Sequence, residues 1–441
     1  MTAKKTSIFK IFTEFFYNHK KSFIFLLLVL ITEGLITSIS IISIAPLADY
    51  LLDPSLKNPS KVTTIFLDTF VSLNIMPSLI LFSIIFITSN FIKGIFEIAI
   101  KYSVLMIKYK VQRNIISNLL QNFLKARWSF FSEEQKGKLL NSFNRELLVV
   151  GDTLGHLTMQ FAQIFQLFIY LIIPFWLSPL MTIIAISIAF IFSLPFLALH
   201  RLSYKLGSEN TKTANDVMSI ISEIFSGIRI ILGYSKQTKT IKLYQSAFDN
   251  HVNATVKSQT LAQAIQSIYQ PIGIAAAIFS LSYAISSGVK ISDASIVLWS
   301  LFRSIPILGM ILKTNLSISN FIPSYEQLIN LKNKAIISKE NDGKKLFINL
   351  SDKIQFKNIN FGYLNNRIII KNLNISFKKN HTSAIVGESG SGKSTIIDLI
   401  LGFQKQDTGN IMIDNISITD LDINSFRKKV GYVPQETFLF N

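Results

Sequence analysis

Long apolar blocks, separated by polar stretches, fill most of the chain up to residue 312. A helix that crosses a bilayer needs about 20 mostly apolar residues, and six blocks reach that length. The six blocks cover residues 22–47, 76–104, 157–177, 180–200, 261–286 and 292–312. We therefore predict an all-α domain of six transmembrane helices over residues 1–336, in which the last two spans are the most polar.

Two polar stretches, residues 105–156 and 201–260, separate span two from span three and span four from span five. Both keep a helical spacing of apolar residues and are rich in Lys and Arg, so we expect the membrane helices to extend into the cytoplasm there. The N-terminal segment is also basic, with Lys4, Lys5 and Lys10 ahead of the first span. Because the number of spans is even, we predict that both termini are cytoplasmic.

The formal net charge of +18 changes this picture little. Strongly basic chains often bind nucleic acid, but here the Lys and Arg residues gather in the loops between apolar blocks, as membrane topology requires. The sequence has no cysteine, which excludes disulfides, thiolate metal sites and cysteine nucleophiles. We expect membrane lipids, and no nucleic acid, as partners.

The pattern changes at about Ile337, where polar and charged residues replace the apolar blocks. Residues 337–353 have the composition of a domain linker. Beyond them, three segments alternate apolar and polar residues as β-strands do. These segments are 354–361, 368–377 and 382–386. We predict that residues 354–441 form part of a soluble α/β domain.

A phosphate-binding loop (P-loop) of the form G-x-x-x-x-G-K-[ST] follows the third predicted strand. Its residues are Gly387, Glu388, Ser389, Gly390, Ser391, Gly392, Lys393, Ser394 and Thr395. The glycines allow a tight turn that points backbone N–H groups inward at a helix N-terminus, which forms an anion site. We expect Lys393 to reach the β- and γ-phosphates of ATP and the Ser394 hydroxyl to bind Mg²⁺.

With this loop in place, the chain resembles the ATP-binding cassette (ABC) transporters over essentially its whole length. The segment Ile354–Tyr363 is similar to the family's strand that ends in an aromatic residue stacked on adenine, which assigns that role to Tyr363. Residues 408–414 resemble the antiparallel strand pair after the P-loop helix. Val430–Gln435 matches the strand that leads into the Q-loop, so the resemblance implies that Gln435 helps to bind the catalytic Mg²⁺.

The resemblance stops at Asn441, just past the Q-loop. The family's signature motif, Walker B aspartate, catalytic glutamate and switch histidine are not found in the chain, so no catalytic set is complete. We expect the sequence to be a piece of a longer protein. We expect the complete protein to hydrolyse ATP, and we expect this piece alone not to hydrolyse it.

Two loop segments also resemble the family. Ala126–Gly137 is similar to the first exporter loop, where a short coupling helix docks on the nucleotide-binding domain. Glu223–Gly233 resembles the segment after the second coupling helix, which is then expected near residues 206–216. The alternative for each segment is an ordinary amphipathic cytoplasmic helix.

Ionisable residues in or near the apolar spans are functional candidates, because an unpaired charge is costly there. These residues are Glu33, Lys93, Glu97 and Arg303. Lys93 and Glu97 are four residues apart on one helical face, which favours a structural ion pair. Glu33 and Arg303 either pair with each other across helices or face a polar translocation cavity. We name both as candidate substrate-contacting residues, because the planar fork of Arg303 suits the oxygens of an anionic headgroup.

The resemblance implies a half-transporter that works as a dimer, because ABC ATP sites form between two nucleotide-binding domains. Membrane and ATPase parts share one chain, which favours an exporter, and we place it in a bacterial cytoplasmic membrane. We expect a homodimer that uses ATP and Mg²⁺ to export or flip a lipid, a lipid-linked sugar or another amphiphile. Two alternatives stay open: a peptide or drug exporter, and a membrane protein that binds ATP for regulation without transport.

Overall fold

The computed structural model describes residue 17 and residues 20–340, 343–363 and 367–434. The chain divides into two compact units. Unit 1 comprises Met1–Ser117 and Gly137–Ile329, and unit 2 comprises Asn118–Lys136 and Asn330–Asn441. The units differ from the division predicted at residue 336, because Asn118–Lys136 groups with the second unit. Lys4, Lys5, Lys10 and Gln435 lie outside the described residues.

Helices account for nearly all of the described residues up to residue 337. They are α1 (Lys20–Ile42), α2 (Ile44–Leu52), α3 (Lys61–Ser72), α4 (Leu79–Leu124), α5 (Trp128–Glu133), α6 (Lys136–Asn141), α7 (Leu147–Leu177), α8 (Pro179–Leu197), α9 (His200–Ser226), α10 (Ile228–Gly233), α11 (Gln237–Ser286) and α12 (Ile291–Ile337). A π-helical turn, Ser142–Glu146, joins α6 to α7.

Six helical segments within the described residues are long and apolar enough to cross a membrane. They are Lys20–Leu52, Leu79–Leu124, Lys136–Leu177, Pro179–Phe196, Gln237–Ser286 and Ile291–Ile337. The predicted six-helix architecture is therefore confirmed. Four of the six segments run far beyond the predicted spans, because the polar stretches keep helical periodicity and continue the same helices.

The predicted second coupling helix near residues 206–216 is wrong. These residues lie inside the continuous helix α9, since nothing in that stretch interrupts its helical pattern. The short helix is instead α10, which lies between α9 and α11 and has no buried residue. The first short helix, α5, lies within the predicted segment Ala126–Gly137.

Glycines let helices of unit 1 touch backbone to backbone. A β-carbon at Gly207 would lie 1.8 Å from the carbonyl oxygen of Asn320, and one at Gly137 would lie 2.3 Å from the Cα of Ser219. Neither approach is open to a larger residue. Helix α9 therefore lies directly against α12 at the first point and against α6 at the second. The side-chain amide of Asn320 also donates to the backbone carbonyl oxygen of Ser203 at 3.1 Å.

The sheet of unit 2 has four strands in the order β2-β1-β3-β4, and every neighbouring pair is antiparallel. Its elements are β1 (Lys353–Tyr363), β2 (Arg367–Lys378), α13 (Lys393–Ile400), β3 (Thr408–Ile413), β4 (Ile416–Ser417) and α14 (Ile423–Arg427). Phe356, Ile359, Leu399 and Ile411 are fully buried in its core. The antiparallel pair predicted at residues 408–414 is formed by β3 and β4, but only β3 lies within that range, since β4 begins at Ile416.

Two other predicted strands are not formed. No strand is assigned to residues 382–386 or to 430–434, and the side chain of Val386 is 91% exposed. A strand needs a neighbour that takes up its backbone hydrogen bonds, and no described strand pairs with either segment. Val386 and Val433 are largely exposed as a result, while Ile385 and Val430 are partly buried against the core.

From Gly343 onward, the predicted linker packs within unit 2. The N–H of Gly343 donates to the carbonyl oxygen of Leu421 at 3.0 Å, and that of Lys345 donates to Asp420 at the same distance. The Phe347 ring makes an edge contact with Phe426 at 5.1 Å. The segment from Gly343 onward therefore belongs to the folded unit.

Candidate functional site

The P-loop lies between β2 and α13. Gly390 and Gly392 have φ angles of +83° and +93°, in the left-handed region that favours glycine. Gly392 is the N-cap of α13, so the backbone N–H groups of the first helical turn lack intrahelical acceptors. A β-carbon at Gly390 would meet no atom within 4 Å, so the loop is open on that side. The loop therefore has the geometry of an anion site.

Lys393 folds back over its own loop. Its ammonium donates to the carbonyl oxygens of Gly387 at 2.9 Å and Glu388 at 2.7 Å. Ser394 is exposed beside it. An ammonium and the N–H groups of a helix N-terminus can donate to the phosphate oxygens of a nucleoside triphosphate, and an exposed hydroxyl oxygen can bind Mg²⁺. The residues present thus fit the ATP and Mg²⁺ roles predicted for them.

Tyr363 lies at the end of β1, next to the P-loop helix. Its hydroxyl is 3.4 Å from Oγ1 of the buried Thr395, and its ring makes an edge contact with Phe361 at 5.1 Å. The side chain is 44% exposed, so part of the ring remains free. Its role in stacking on adenine stays a prediction, as does Mg²⁺ binding by Gln435, which lies outside the described residues.

A second candidate site is an apolar cavity of about 790 Å³ in unit 1, between α11 and α12. Tyr269, Trp299 and Phe302 supply aromatic rings to its lining, and Gln266 and Gln270 supply polar groups. A large, mostly apolar pocket with a few polar groups is typical of a ligand site.

A cationic side chain contacts one of the polar residues that line this cavity, although it does not line the cavity itself. The ammonium of Lys313 on α12 donates to the side-chain oxygens of Gln263 at 2.8 Å and Gln266 at 2.9 Å on α11. Gln266 itself lines the cavity. Lys313 uses two of its three donors in this way, which leaves one for a ligand.

Arg303 does not line the cavity but lies beside it. Its guanidinium is 5.1 Å from the ring of Trp299, a cation–π contact. No ion pair joins Arg303 to Glu33 in the described part of the chain, so the structural bridge between them is not formed. The Glu33 carboxylate is fully buried, accepts from Thr37 Oγ1 at 2.9 Å and has Lys93 nearby as a cation.

The predicted ion pair between Lys93 and Glu97 is confirmed, with nitrogen and oxygen 3.3 Å apart. Lys93 also lies over the ring of Tyr170 at 5.3 Å. Glu33 and Lys93 therefore belong to one buried polar cluster that joins α1, α4 and α7. A substrate contact for Glu33 or Arg303 stays a prediction.

Lys313 was not singled out by the sequence, because it falls one residue beyond the predicted sixth span. A signal was present in the fifth span: Gln263, Gln266 and Gln270 recur at the spacing of one helical face. Three amides on one face of an otherwise apolar helix indicate a polar partner or cavity beside it.

Two family models match the sequence. Residues 23–305 match the ABC transporter transmembrane region, and residues 370–441 match the ABC transporter model. Heterocyst differentiation ATP-binding protein HepA of Nostoc sp. is 24% identical over 328 residues, which cover 73% of this chain and 53% of that protein. The ATP-dependent lipid A-core flippase of Syntrophus aciditrophicus is 24% identical over 340 residues, which cover 75% and 56%. The chain spans about half the length of the curated relatives it matches.

A solved structure of a bacterial Atm1-family ABC exporter with ATP bound has a TM-score of 0.75 to this chain. The match covers 96% of this chain and 72% of that one, at 19% identity. At that identity the likeness shows the fold alone. Since the transmembrane-region model by itself matches more than half of the sequence, the chain belongs to the ABC transporter family.

Proposed function

We propose that this chain is one half of an exporter that uses ATP and Mg²⁺ to move an amphiphile with an anionic headgroup, such as a phospholipid or a lipid-linked sugar, across a bacterial cytoplasmic membrane. A second copy of the chain pairs with it, and both termini lie in the cytoplasm. Lipid A-core flippases among its relatives support this substrate class.

The observation that carries the proposal is the character of the cavity in unit 1. Its apolar and aromatic lining suits the hydrocarbon part of an amphiphile. Lys313 and Arg303 are cations close to that lining, and each can donate to phosphate or carboxylate oxygens. An amphiphile has both an apolar part that suits the lining and a charged headgroup that suits the cations.

ATP, when bound, supplies the free energy of transport by phosphoryl transfer. This chain's own residues bind and orient it. Lys393 contributes positive charge at the phosphates, the Ser394 hydroxyl contributes a ligand to Mg²⁺, and the Tyr363 ring offers a stacking face to the base.

The proposal is tested with a variant in which Trp299 is the single tryptophan. The chain has three tryptophans, so Trp128→Phe and Trp176→Phe leave Trp299 as the sole emitter in the cavity wall. Brominated phosphatidylglycerol and phosphatidylcholine are titrated into the protein in nonionic detergent. We expect saturable quenching of Trp299, with the anionic lipid binding about tenfold more tightly, a difference of about 1.4 kcal/mol.

Lys313→Gln should remove that preference and leave the binding of phosphatidylcholine unchanged. Lys290→Gln is the matched control, since Lys290 is exposed and does not line this cavity. Quenching that rises without saturation, to the same degree for both lipids, would contradict the proposal. Saturable binding of a neutral aromatic dye but of neither lipid would favour a drug exporter.

A further inference from the structure

Arg427, the last residue of α14, joins three parts of unit 2 through one guanidinium. Its two terminal nitrogens donate to the two carboxylate oxygens of Glu340 at 2.8 and 2.7 Å. Its Nε donates to the carbonyl oxygen of Leu401 at 2.8 Å, and the group lies 5.1 Å from the Phe403 ring. This fork geometry is specific to arginine, because a lysine ammonium cannot make the paired contacts.

Leu401 is the C-cap of α13, the helix that begins at the P-loop. The last carbonyl groups of a helix lack intrahelical donors and carry partial negative charge, so a cation is favourable there. Helix α13 has eight residues and is therefore a short rod of about 12 Å. Arg427 therefore binds the C-terminal end of α13, which is the end opposite the phosphate site.

Glu340 is tied to the residues that lead into α5. Its N–H donates to the carbonyl oxygen of Lys125 at 3.2 Å, and the preceding residue, Lys339, forms an antiparallel bridge with Ala126. The second route is aromatic, since the Phe403 ring lies 6.4 Å from the ring of Trp128, the first residue of α5. Both routes start at Arg427 and end at the same short helix.

We propose that Arg427 and Glu340 form a clamp that passes the effect of ATP binding at the P-loop to α5. Arg427 acts as a positioning residue, because it reaches the nucleotide only through α13. The inference rests on the ATP binding proposed above. It adds to that function a defined pair of side chains that couples the nucleotide site to the first short cytoplasmic helix.

The clamp is tested in a variant with Trp176→Phe and Trp299→Phe, which leaves Trp128 as the single tryptophan. We expect ATP to change the Trp128 emission saturably, at the concentration where radiolabelled ATP binds. Arg427→Lys should keep the ATP affinity while the emission change falls to about a fifth. Glu340→Gln should do the same, and the double variant should lose no more than either single variant.

The matched control is Lys428→Gln, because Lys428 is the exposed neighbour of Arg427. In this variant, ATP should change the Trp128 emission as fully as in the parent. A merely structural role would weaken ATP binding and the emission change together. Full emission changes in Arg427→Lys, additive losses in the double variant, or no emission change in a parent that binds ATP would each overturn the clamp. A parent that binds no ATP would overturn the proposed function and the clamp with it.

Discussion

The phenolic oxygen of Tyr363 lies 3.4 Å from Oγ1 of Thr395, so the end of β1 meets the first turn of α13 at one pair of side chains. This contact holds the Tyr363 ring beside the P-loop. Tyr363→Leu removes the ring, and because aromatic pairs contribute about 0.5–1.5 kcal/mol, we expect ATP affinity to fall by about two- to twelvefold.

Equilibrium binding of radiolabelled ATP measures this effect. Tyr363→Phe keeps the ring and should keep most of the affinity. Tyr363→Phe also removes the hydroxyl contact with Thr395, so it serves as the control for ring position. If Tyr363→Leu binds ATP as tightly as the parent, the role of Tyr363 in stacking on adenine is wrong.

The absence of cysteine makes the membrane orientation directly testable. Lys57, Lys290, Lys136 and Lys236 are all exposed, so reaction of a single cysteine at each position reports sidedness rather than burial. We expect an impermeant thiol reagent to label positions 57 and 290 from outside intact cells. Positions 136 and 236 should react only after permeabilisation. Labelling of position 136 from outside would reverse the proposed topology.

The buried charges of α1 and α4 should depend on each other. Glu33 is fully buried and Lys93 nearly so, and Lys93 is the nearby cation. Lys93→Met removes the cation near the buried Glu33 side chain, and we expect it to lower the stability of unit 1. The measurement is the thermal midpoint in detergent.

The double variant Lys93→Met with Glu33→Gln should recover much of that loss, because neither charge remains. Glu97→Gln is the control, since the Glu97 side chain is 43% exposed and the loss should be small. Equal, additive losses from Lys93→Met and Glu33→Gln would show that the two charges are independent.

Asp414 anchors the start of β1. Its carboxylate accepts from the backbone N–H groups of Ser351 at 2.8 Å, Asp352 at 2.7 Å and Lys353 at 2.9 Å. Partial burial by itself would raise the pKa of Asp414, but the backbone donors outweigh it and hold the pKa below its ordinary 3.8. The stabilisation is therefore present above pH 3.8 and is lost as the pH falls through the lower pKa of the folded state.

Hydrogen–deuterium exchange of residues 351–353 tests this anchor. Asp414→Asn replaces one acceptor oxygen by a donor, and we expect exchange at pH 7 to speed up by about tenfold, since a hydrogen bond to a charged group contributes about 1.5–3 kcal/mol. Asp420→Asn changes an exposed carboxylate and should have no effect. Unchanged protection in Asp414→Asn would contradict the anchor.

The spacing of apolar and polar residues was enough to predict the features that a short stretch of sequence determines. The six apolar blocks and the P-loop can each be recognised from a short stretch of sequence. The strand at residues 382–386 failed because strand formation depends on a partner that sequence alternation does not reveal. The separate short helix predicted near residues 206–216 is wrong because it was located by resemblance, and the chain continues through this stretch as α9 despite Gly207.

Long-range contacts could not be predicted at all. Arg427 and Glu340 are separated by most of the nucleotide-binding segment, and neither has an unusual local sequence. Lys313 meets Gln263 and Gln266 only because α11 and α12 pack side by side. Glu33 and Arg303 were treated as a possible pair because no neighbour in their own spans could neutralise them. Lys93, the cation near Glu33, lies on a different helix and depends on helix packing, whereas Trp299 lies four residues before Arg303 on α12 and is a local contact.

The close backbone contact between Gly207 and Asn320 gives α12 a fixed point about which it can tilt. A backbone contact with no side chain between the helices blocks sliding but allows one helix to tilt on the other. At the rise of an α-helix, about 44 Å of α12 lies between Asn320 and Ile291, and about 26 Å between Asn320 and Ile337. A tilt that displaces the Ile337 end by about 1 Å therefore swings the Ile291 end by about 1.7 Å the opposite way, less what bending at Pro306 and Pro323 absorbs. Gly207 thus sets the point on α12 about which the two ends of that helix would move.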